Sequence, residues 1–186
     1  MFFFLCGPHC CGKTSILSIL ESEGYISARG SEIGKDLFYK RSFQTESQNS
    51  DFEFEVTRLE LERDRYFHNT PGVIGIETWH PGNLAYASVR NPKSIKELAE
   101  LSRQSPIIMN ISGIWLRIPK CEIIARSKTF KDNKEWAGEF YEKVDQNMEM
   151  CLKELGLLER TTIIDANRPF ESVLTDVKNH LYILLK

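Results

Sequence analysis

The sequence predicts an α/β fold: a three-layer α/β/α domain built on a parallel sheet of about five strands. Three observations carry that expectation. Residues 2–6, Phe-Phe-Phe-Leu-Cys, form a short apolar run of the kind that makes a strand buried on both faces. A glycine loop follows at once, and residues 15–20 then continue as an apolar stretch of helical length. Further on, apolar β-rich runs at 73–76, 106–115 and 161–164 alternate with helix-length segments, the pattern of parallel strands joined by crossover helices. The 186 residues contain no repeat and no low-complexity stretch, so a single domain spanning 1–186 is expected.

Taken in order, the first helix runs through residue 23 and stops at Gly24. Residues 25–28 read as a short second strand, and 29–35 as a loop entering a helix that reaches about Arg41. The polar segment 42–51 reads as a loop, and 52–67 as a long helix broken by 69–72. The run 73–76 is the third strand and ends at Glu77. His80-Pro81-Gly82 reads as a turn, after which 84–89 begins another element. A helix over 94–104, a strand within 106–118 and a short helix at 121–126 follow. The polar, basic stretch near 126–137 is expected to form a short lid. A long helix at 136–155 ends at Gly156, and the last strand (161–164) and last helix (172–185) close the chain.

The loop Gly7-Pro8-His9-Cys10-Cys11-Gly12-Lys13-Thr14 matches G-x-x-x-x-G-K-[ST] in full, between a strand and a helix as that motif requires. The segment resembles the phosphate loop of P-loop NTPases. Gly7 and Gly12 let the backbone curl so that successive N–H groups face phosphate oxygens. The helix that starts near Lys13 adds the positive end of its dipole. Lys13 supplies charge for the outer phosphates, and the Thr14 hydroxyl is placed to ligate Mg²⁺. His9, Cys10, Cys11 and Ser15 complete the expected ATP-binding segment.

Composition narrows the partners. Lysine and arginine total 24 against 26 acidic residues, a net charge of −2, so no nucleic acid polymer is implied. No apolar run approaches the length of a membrane span, and residues 2–6 are too short for a signal peptide and serve as the first strand. The five cysteines form no C-x-x-C pair, and His9 beside Cys10 and Cys11 lacks zinc-ligand spacing. Reduced thiols in a cytoplasmic compartment fit better. The phosphate loop and Lys13 are expected to lower the pKa of Cys10 and Cys11, so that oxidation or alkylation would block nucleotide binding; two small residues in a tight loop are the alternative.

Several later stretches resemble thymidylate kinases, in the right order and over nearly the whole chain. Arg29-Gly30-Ser31-Glu32-Ile33-Gly34-Lys35 is similar to their R-S-T-E-I-G-K segment. Glu77-Thr78-Trp79-His80-Pro81-Gly82-Asn83-Leu84-Ala85-Tyr86-Ala87 resembles D-R-Y-x-x-S-x-x-A-Y-Q. Leu116 through Arg126 resembles L-D-V-P-P-E-V-x-x-x-R, and Phe140-Tyr141-Glu142-Lys143-Val144 and Ile164-Asp165-Ala166-Asn167 resemble the later signatures. The resemblance implies that Arg29 grips a monophosphate, that Phe54 and Arg58 hold a base with Tyr86 nearby, that Arg126 and Lys128 belong to the lid, and that Asn167 lies by the adenine. It also implies a homodimer. Phe54 as core and Arg58 as surface charge remain the alternative.

Glu77, at the carboxyl end of its strand, is where ligands bind in such sheets; it is expected to hold Mg²⁺ through water or to accept a proton from the acceptor. Three positions depart from the family pattern: His9 replaces its loop aspartate, Thr78 its arginine and Arg117 its aspartate. The sequence thus points to a Mg²⁺- and ATP-dependent kinase acting on a nucleoside monophosphate, dTMP first. A nucleoside kinase of the same fold and an inactive ATP-binding regulator are the alternatives. A GTPase is disfavoured by the lack of an N-K-x-D run.

Overall fold

The computed structural model describes residues 1–40, 48–127 and 133–184. Five parallel strands, β1 (Phe2–Cys6), β2 (Ala28–Gly30), β3 (Ile74–Glu77), β4 (Ile111–Arg117) and β5 (Thr161–Asp165), lie in the order β2-β3-β1-β4-β5. β1 is central, with Leu5 level with Glu77 of β3 and with Ile114 of β4. Its alternate side chains point to opposite layers, which is why the whole run is apolar. Phe4 and Cys6 enter one core with Trp79, Leu98 and Met148. Phe3 and Leu5 enter the other with Leu17, Leu20, Val173 and Val177.

Helices α1 (Lys13–Ser22) and α8 (Phe170–Leu184) cover the second face. The first is covered by α4 (Trp79–Arg90), α5 (Ile95–Ser102) and α7 (Lys134–Glu154). The helix α3 (Gln48–His68) packs outside α4, and α2 (Ile33–Lys40) and α6 (Lys120–Arg126) complete the set. Among the described residues no helix is long and apolar enough to cross a membrane, and Cys6, Cys10, Cys11, Cys121 and Cys151 are all free thiols.

The expected α/β/α architecture and parallel sheet are observed, with local corrections. The second strand is Ala28–Gly30, not 25–28, because Tyr25 and Ile26 donate their N–H groups to Leu20 O and finish α1 instead of entering the ladder. His80-Pro81-Gly82 is no turn but the first turn of α4. Its first amides need no intrahelical partner, so Pro81 at the third position breaks nothing. Gln48 to Asp51, expected as loop, belong to α3, and β4 starts at Ile111 after a 3₁₀ turn at Ile108–Asn110. Arg41 and residues 42–47 of the expected loop, and residues 128–132 of the expected lid with Lys128 among them, lie outside the described residues; α7 takes up 134–137.

Candidate active site

The loop from Cys6 to α1 turns on three left-handed residues, Gly7 (φ 139°), Cys10 (φ 62°) and Gly12 (φ 101°). At Gly7 only glycine fits, since a Cβ would lie 2.2 Å from the Leu116 carbonyl oxygen. Lys13, the first residue of α1, is buried, and its ammonium donates to Gly7 O and Pro8 O at 3.0 Å each. Burial works against that charge. The opposing pull of Cys11, Glu32 and Glu77 is larger and holds the proton above the ordinary lysine range. The next residue, Thr14, donates its hydroxyl to Glu77 Oε1 at 2.6 Å, joining α1 to the end of β3.

A second carboxylate, Glu32, stands beside this pair in the segment between β2 and α2. It is half-buried, and desolvation raises its pKa; Lys13 and Lys35 pull it down while Glu77 pushes it up. Two acids, one lysine and one hydroxyl therefore meet at the carboxyl ends of β1, β2 and β3, the edge where open parallel sheets take ligands.

An aromatic wall leads away from the loop. The His9 ring stacks on Tyr141 of α7 with centroids 5.1 Å apart. Tyr141 meets Tyr86 of α4 edge-on at 6.1 Å, and Tyr86 stacks against Phe140 at 6.2 Å. The Arg90 guanidinium lies over the rings of Tyr86 (5.2 Å), Phe52 (5.4 Å) and Phe140 (5.9 Å). Arg90 Nε is 2.7 Å from Oε1 of Glu53, a buried acid on α3. Glu32, Tyr141, Arg90 and Cys11 all act electrostatically on the Tyr86 hydroxyl, so wall and phosphate loop form one site. Burial, with Lys13 and Lys35, depresses His9 to about 4 and keeps the ring neutral near pH 7.

The turn after Glu77 is strained. Thr78 (φ 65°, ψ −62°) and Trp79 (φ 53°) both hold left-handed backbone, which costs about 1–3 kcal/mol per residue outside glycine. It is held by Thr78 N–H donating to Leu5 O at 2.7 Å and by the Trp79 indole N–H donating to Asp64 of α3.

Of the residues expected from sequence, Gly7, His9, Cys10, Cys11, Gly12, Lys13, Thr14, Glu77 and Tyr86 are brought together, with Ser15 exposed on the first turn of α1. Arg126 bonds Glu122 at 2.8 Å and Ala166 O at 3.3 Å, and its charge reaches Cys10. Asn167 is exposed in the turn after β5, where its N–H donates to Asp165. Arg29 is not at the loop: it pairs with Glu21 at 3.1 Å, and Glu21 lies eight residues beyond Lys13, about 12 Å along α1. Phe54 and Arg58 share a face, but that face opens with Asp51, Glu55 and Glu97 on a separate groove of about 500 Å³. The pKa of both loop thiols is raised, not lowered, because burial of Cys10 and Cys11 outweighs Lys13.

Sequence reasoning missed Glu32, Glu53, Arg90 and Tyr141. Glu53 had a signal: it falls in phase with Val56, Glu60 and Asp64 on the buried side of α3, where an acid needs a partner.

Among the described residues no cluster of three or more His, Cys, Asp or Glu side chains could hold a metal alone. Thr14 and Glu77 nevertheless suit Mg²⁺, which prefers hard oxygens and takes one or two protein ligands alongside phosphates and waters.

Solved structures share this architecture. The NadR protein in complex with NR superposes with a TM-score of 0.73 at 15% identity, covering 97% of this chain and 50% of that one. The chain thus spans half the length of NadR. Deoxyadenosine kinase from M. mycoides, with products dCMP and a flexible dCDP bound, gives 0.69 at 15% identity over 98% of this chain and 99% of that one. YorR from Bacillus subtilis, in complex with phosphorylated GDP, gives 0.61 at 18% identity over 100% and 95%. These likenesses establish the fold, a phosphate-loop α/β/α domain of the kind the deoxyadenosine kinase has. No family model matches the chain, and no curated protein matches it in sequence.

Proposed function

We propose that the chain is a kinase that uses Mg-ATP to phosphorylate the hydroxyl of a nucleoside. The observation that carries this reading is the meeting of Glu32 and Glu77 with Lys13 and Thr14 at the mouth of an aromatic wall. Phosphoryl transfer asks mainly for positioning and charge cancellation, and each part has a task here. Lys13 draws the outer phosphates of the donor. Mg²⁺ held by Thr14 and Glu77 would supply further charge neutralisation when bound. Glu32, with its raised pKa, accepts the proton of the attacking hydroxyl. Tyr86 and Phe140 offer flat faces for a base, and the Arg90–Glu53 pair offers donors and an acceptor for its edge. The solved deoxyadenosine kinase adds support at the level of fold.

A nucleoside monophosphate acceptor, dTMP in particular, is the second reading. It follows from the resemblance to thymidylate kinases, and Lys35 favours it: its positive charge acts on His9, Cys10 and Glu32, where an acceptor phosphate would need one. The commitment of Arg29 to Glu21 and the two carboxylates at the mouth weigh against it.

The test is ATP consumption against nucleosides and nucleoside monophosphates, with wild type, Lys13→Ala and Glu32→Gln in parallel. Turnover on a nucleoside, lost in both variants, is expected. Turnover on dTMP with Glu32→Gln fully active would replace this reading by the second. ATP binding with no turnover on any acceptor would leave a nucleotide-binding regulator.

A further inference from the structure

Asp64 sits fully buried on α3, outside the phosphate loop, and gathers three hydrogen-bonding side chains and a nearby cation. The Trp79 indole N–H donates to Oδ1 and Oδ2 at 3.2 and 3.0 Å, and His80 Nε2 lies 3.1 Å from Oδ2. Ser105, beyond α5, donates to Oδ2 at 2.6 Å, and Arg63 is 4.0 Å away. A buried carboxylate is expensive unless it is met this fully. Two of the donors, Trp79 and His80, lie two and three residues after Glu77 on the strained turn, and a β-branched residue such as Thr78 holds φ 65° only where its surroundings over-determine it. The Trp79 ring is wedged against Phe4 of β1 at 5.3 Å, so indole and carboxylate together fix the chain just past β3. The product of that fixation is the direction of Glu77, whose Oε1 receives the Thr14 hydroxyl at 2.6 Å.

We infer that Asp64 is a positioning residue for the phosphate site: by holding Trp79 and His80 it keeps the strained turn closed, and the turn aims the Glu77 carboxylate at Thr14. The inference rests on the proposed reading in one respect, that Glu77 and Thr14 serve Mg²⁺ on a bound nucleotide. If the turn relaxes, Glu77 swings away from Thr14, while Lys13 and the loop amides keep their places. Nucleotide affinity without metal is then preserved and the contribution of the metal is lost.

The experiment compares the melting shift given by ATP alone with that given by ATP plus Mg²⁺. Asp64→Asn is expected to keep the ATP-only shift and to lose most of the Mg²⁺ increment, as Glu77→Gln does. The double variant is expected to lose no more than Glu77→Gln alone. Trp79→Phe, which removes the indole N–H and keeps a ring, carries the same expectation should Asp64→Asn fail to fold. Ser105→Ala removes a donor to the same carboxylate from off the turn. It is expected to lower the melting temperature and leave the increment intact. On an acceptor that turns over, Asp64→Asn lowers kcat by on the order of 10- to 100-fold and raises the KM for Mg-ATP, in step with the lost Mg²⁺ increment.

A full Mg²⁺ increment in Asp64→Asn or Trp79→Phe, or additive losses in the double variant, would overturn the inference. So would a wild-type protein that binds ATP but gains nothing from Mg²⁺, and that result leaves nucleotide binding standing. No ATP shift in wild type at all would overturn the functional reading, and the inference with it.

Discussion

Replacing Arg90 by methionine tests the far end of the proposed acceptor site without assuming any substrate. Arg90 is a third exposed, whereas the Glu53 side chain paired with it at 2.7 Å is only 3% exposed. Methionine keeps most of the stem that lies along Phe52, Tyr86 and Phe140 and removes the charge. Two losses follow. Stranding a buried carboxylate costs about 3 kcal/mol, the low end for a broken buried pair because the guanidinium side is partly wet. Loss of the cation over the aromatic rings adds roughly 1 kcal/mol. A total near 4 kcal/mol lowers the melting temperature by about 8–16 °C in a domain of this size.

The two losses separate by pH. Burial already raises Glu53, and Arg90 is what pulls it down; without Arg90 its folded pKa climbs further above the unfolded value. A group raised in this way binds more protons folded than unfolded, so stability falls as pH rises from the ordinary glutamate value through the folded one. The Arg90→Met penalty is therefore smallest at mildly acidic pH, where Glu53 is protonated, and grows toward pH 8. The aromatic part stays constant. Glu53→Gln/Arg90→Met removes the stranded charge and recovers most of the 3 kcal/mol, to be read by urea unfolding at pH 5 and pH 8 with the slopes compared. A penalty that does not change with pH, or a double variant as unstable as the sum of the singles, would refute the argument.

The other predictions address the loop, the sheet and the aromatic wall. Lys13→Met abolishes the ATP melting shift while the ligand-free protein still unfolds cooperatively, because the same change that orphans Gly7 O and Pro8 O also removes a buried ammonium. Gly113→Ala destabilises by about 3 kcal/mol or more in denaturant unfolding, since its Cβ would lie 2.2 Å from Phe4 Cζ and 2.6 Å from Thr161 Oγ1 with strands on both sides. His9 titrates at about 4 when folded against 6.5 when free, so the unfolded chain binds the extra proton and stability is lost as pH falls from about 7 toward 4. The shift corresponds to about 3 kcal/mol before solvent screening and roughly half of that after it, and His9→Asn flattens the pH profile by this amount.

How far the sequence reveals this site depends on how locally each part is specified. The phosphate loop is legible because eight consecutive residues do the whole task, and Glu77 because it ends an apolar strand, so its position at the sheet edge follows from the strand itself. The roles of Arg29, Phe54 and Arg58 follow from the resemblance alone, and a resemblance does not say which way a side chain faces. A two-residue shift in the end of β2, from 28 to Gly30, puts Glu32, not Arg29, past it, and about 100° of rotation on α3 separates Phe54 from Glu53. The acids of α3 left a trace that periodicity alone could register, for Glu53, Glu60 and Asp64 stand among Val56, Leu61 and Phe67 where apolar residues are due. What they bond is another matter: Arg90, Asn83, Trp79 and Ser105 come from 15 to 41 positions away along the chain, and only the packing of α4 and α5 against α3 brings them in. The strain at Thr78 and Trp79 is less legible still. Neither residue favours a left-handed backbone, and nothing in Glu77-Thr78-Trp79 announces one; the conformation exists because Leu5, Phe4 and Asp64 close on the turn from three sides. The parts of this site that sequence hides are thus the ones whose geometry is imposed from outside the segment that displays it.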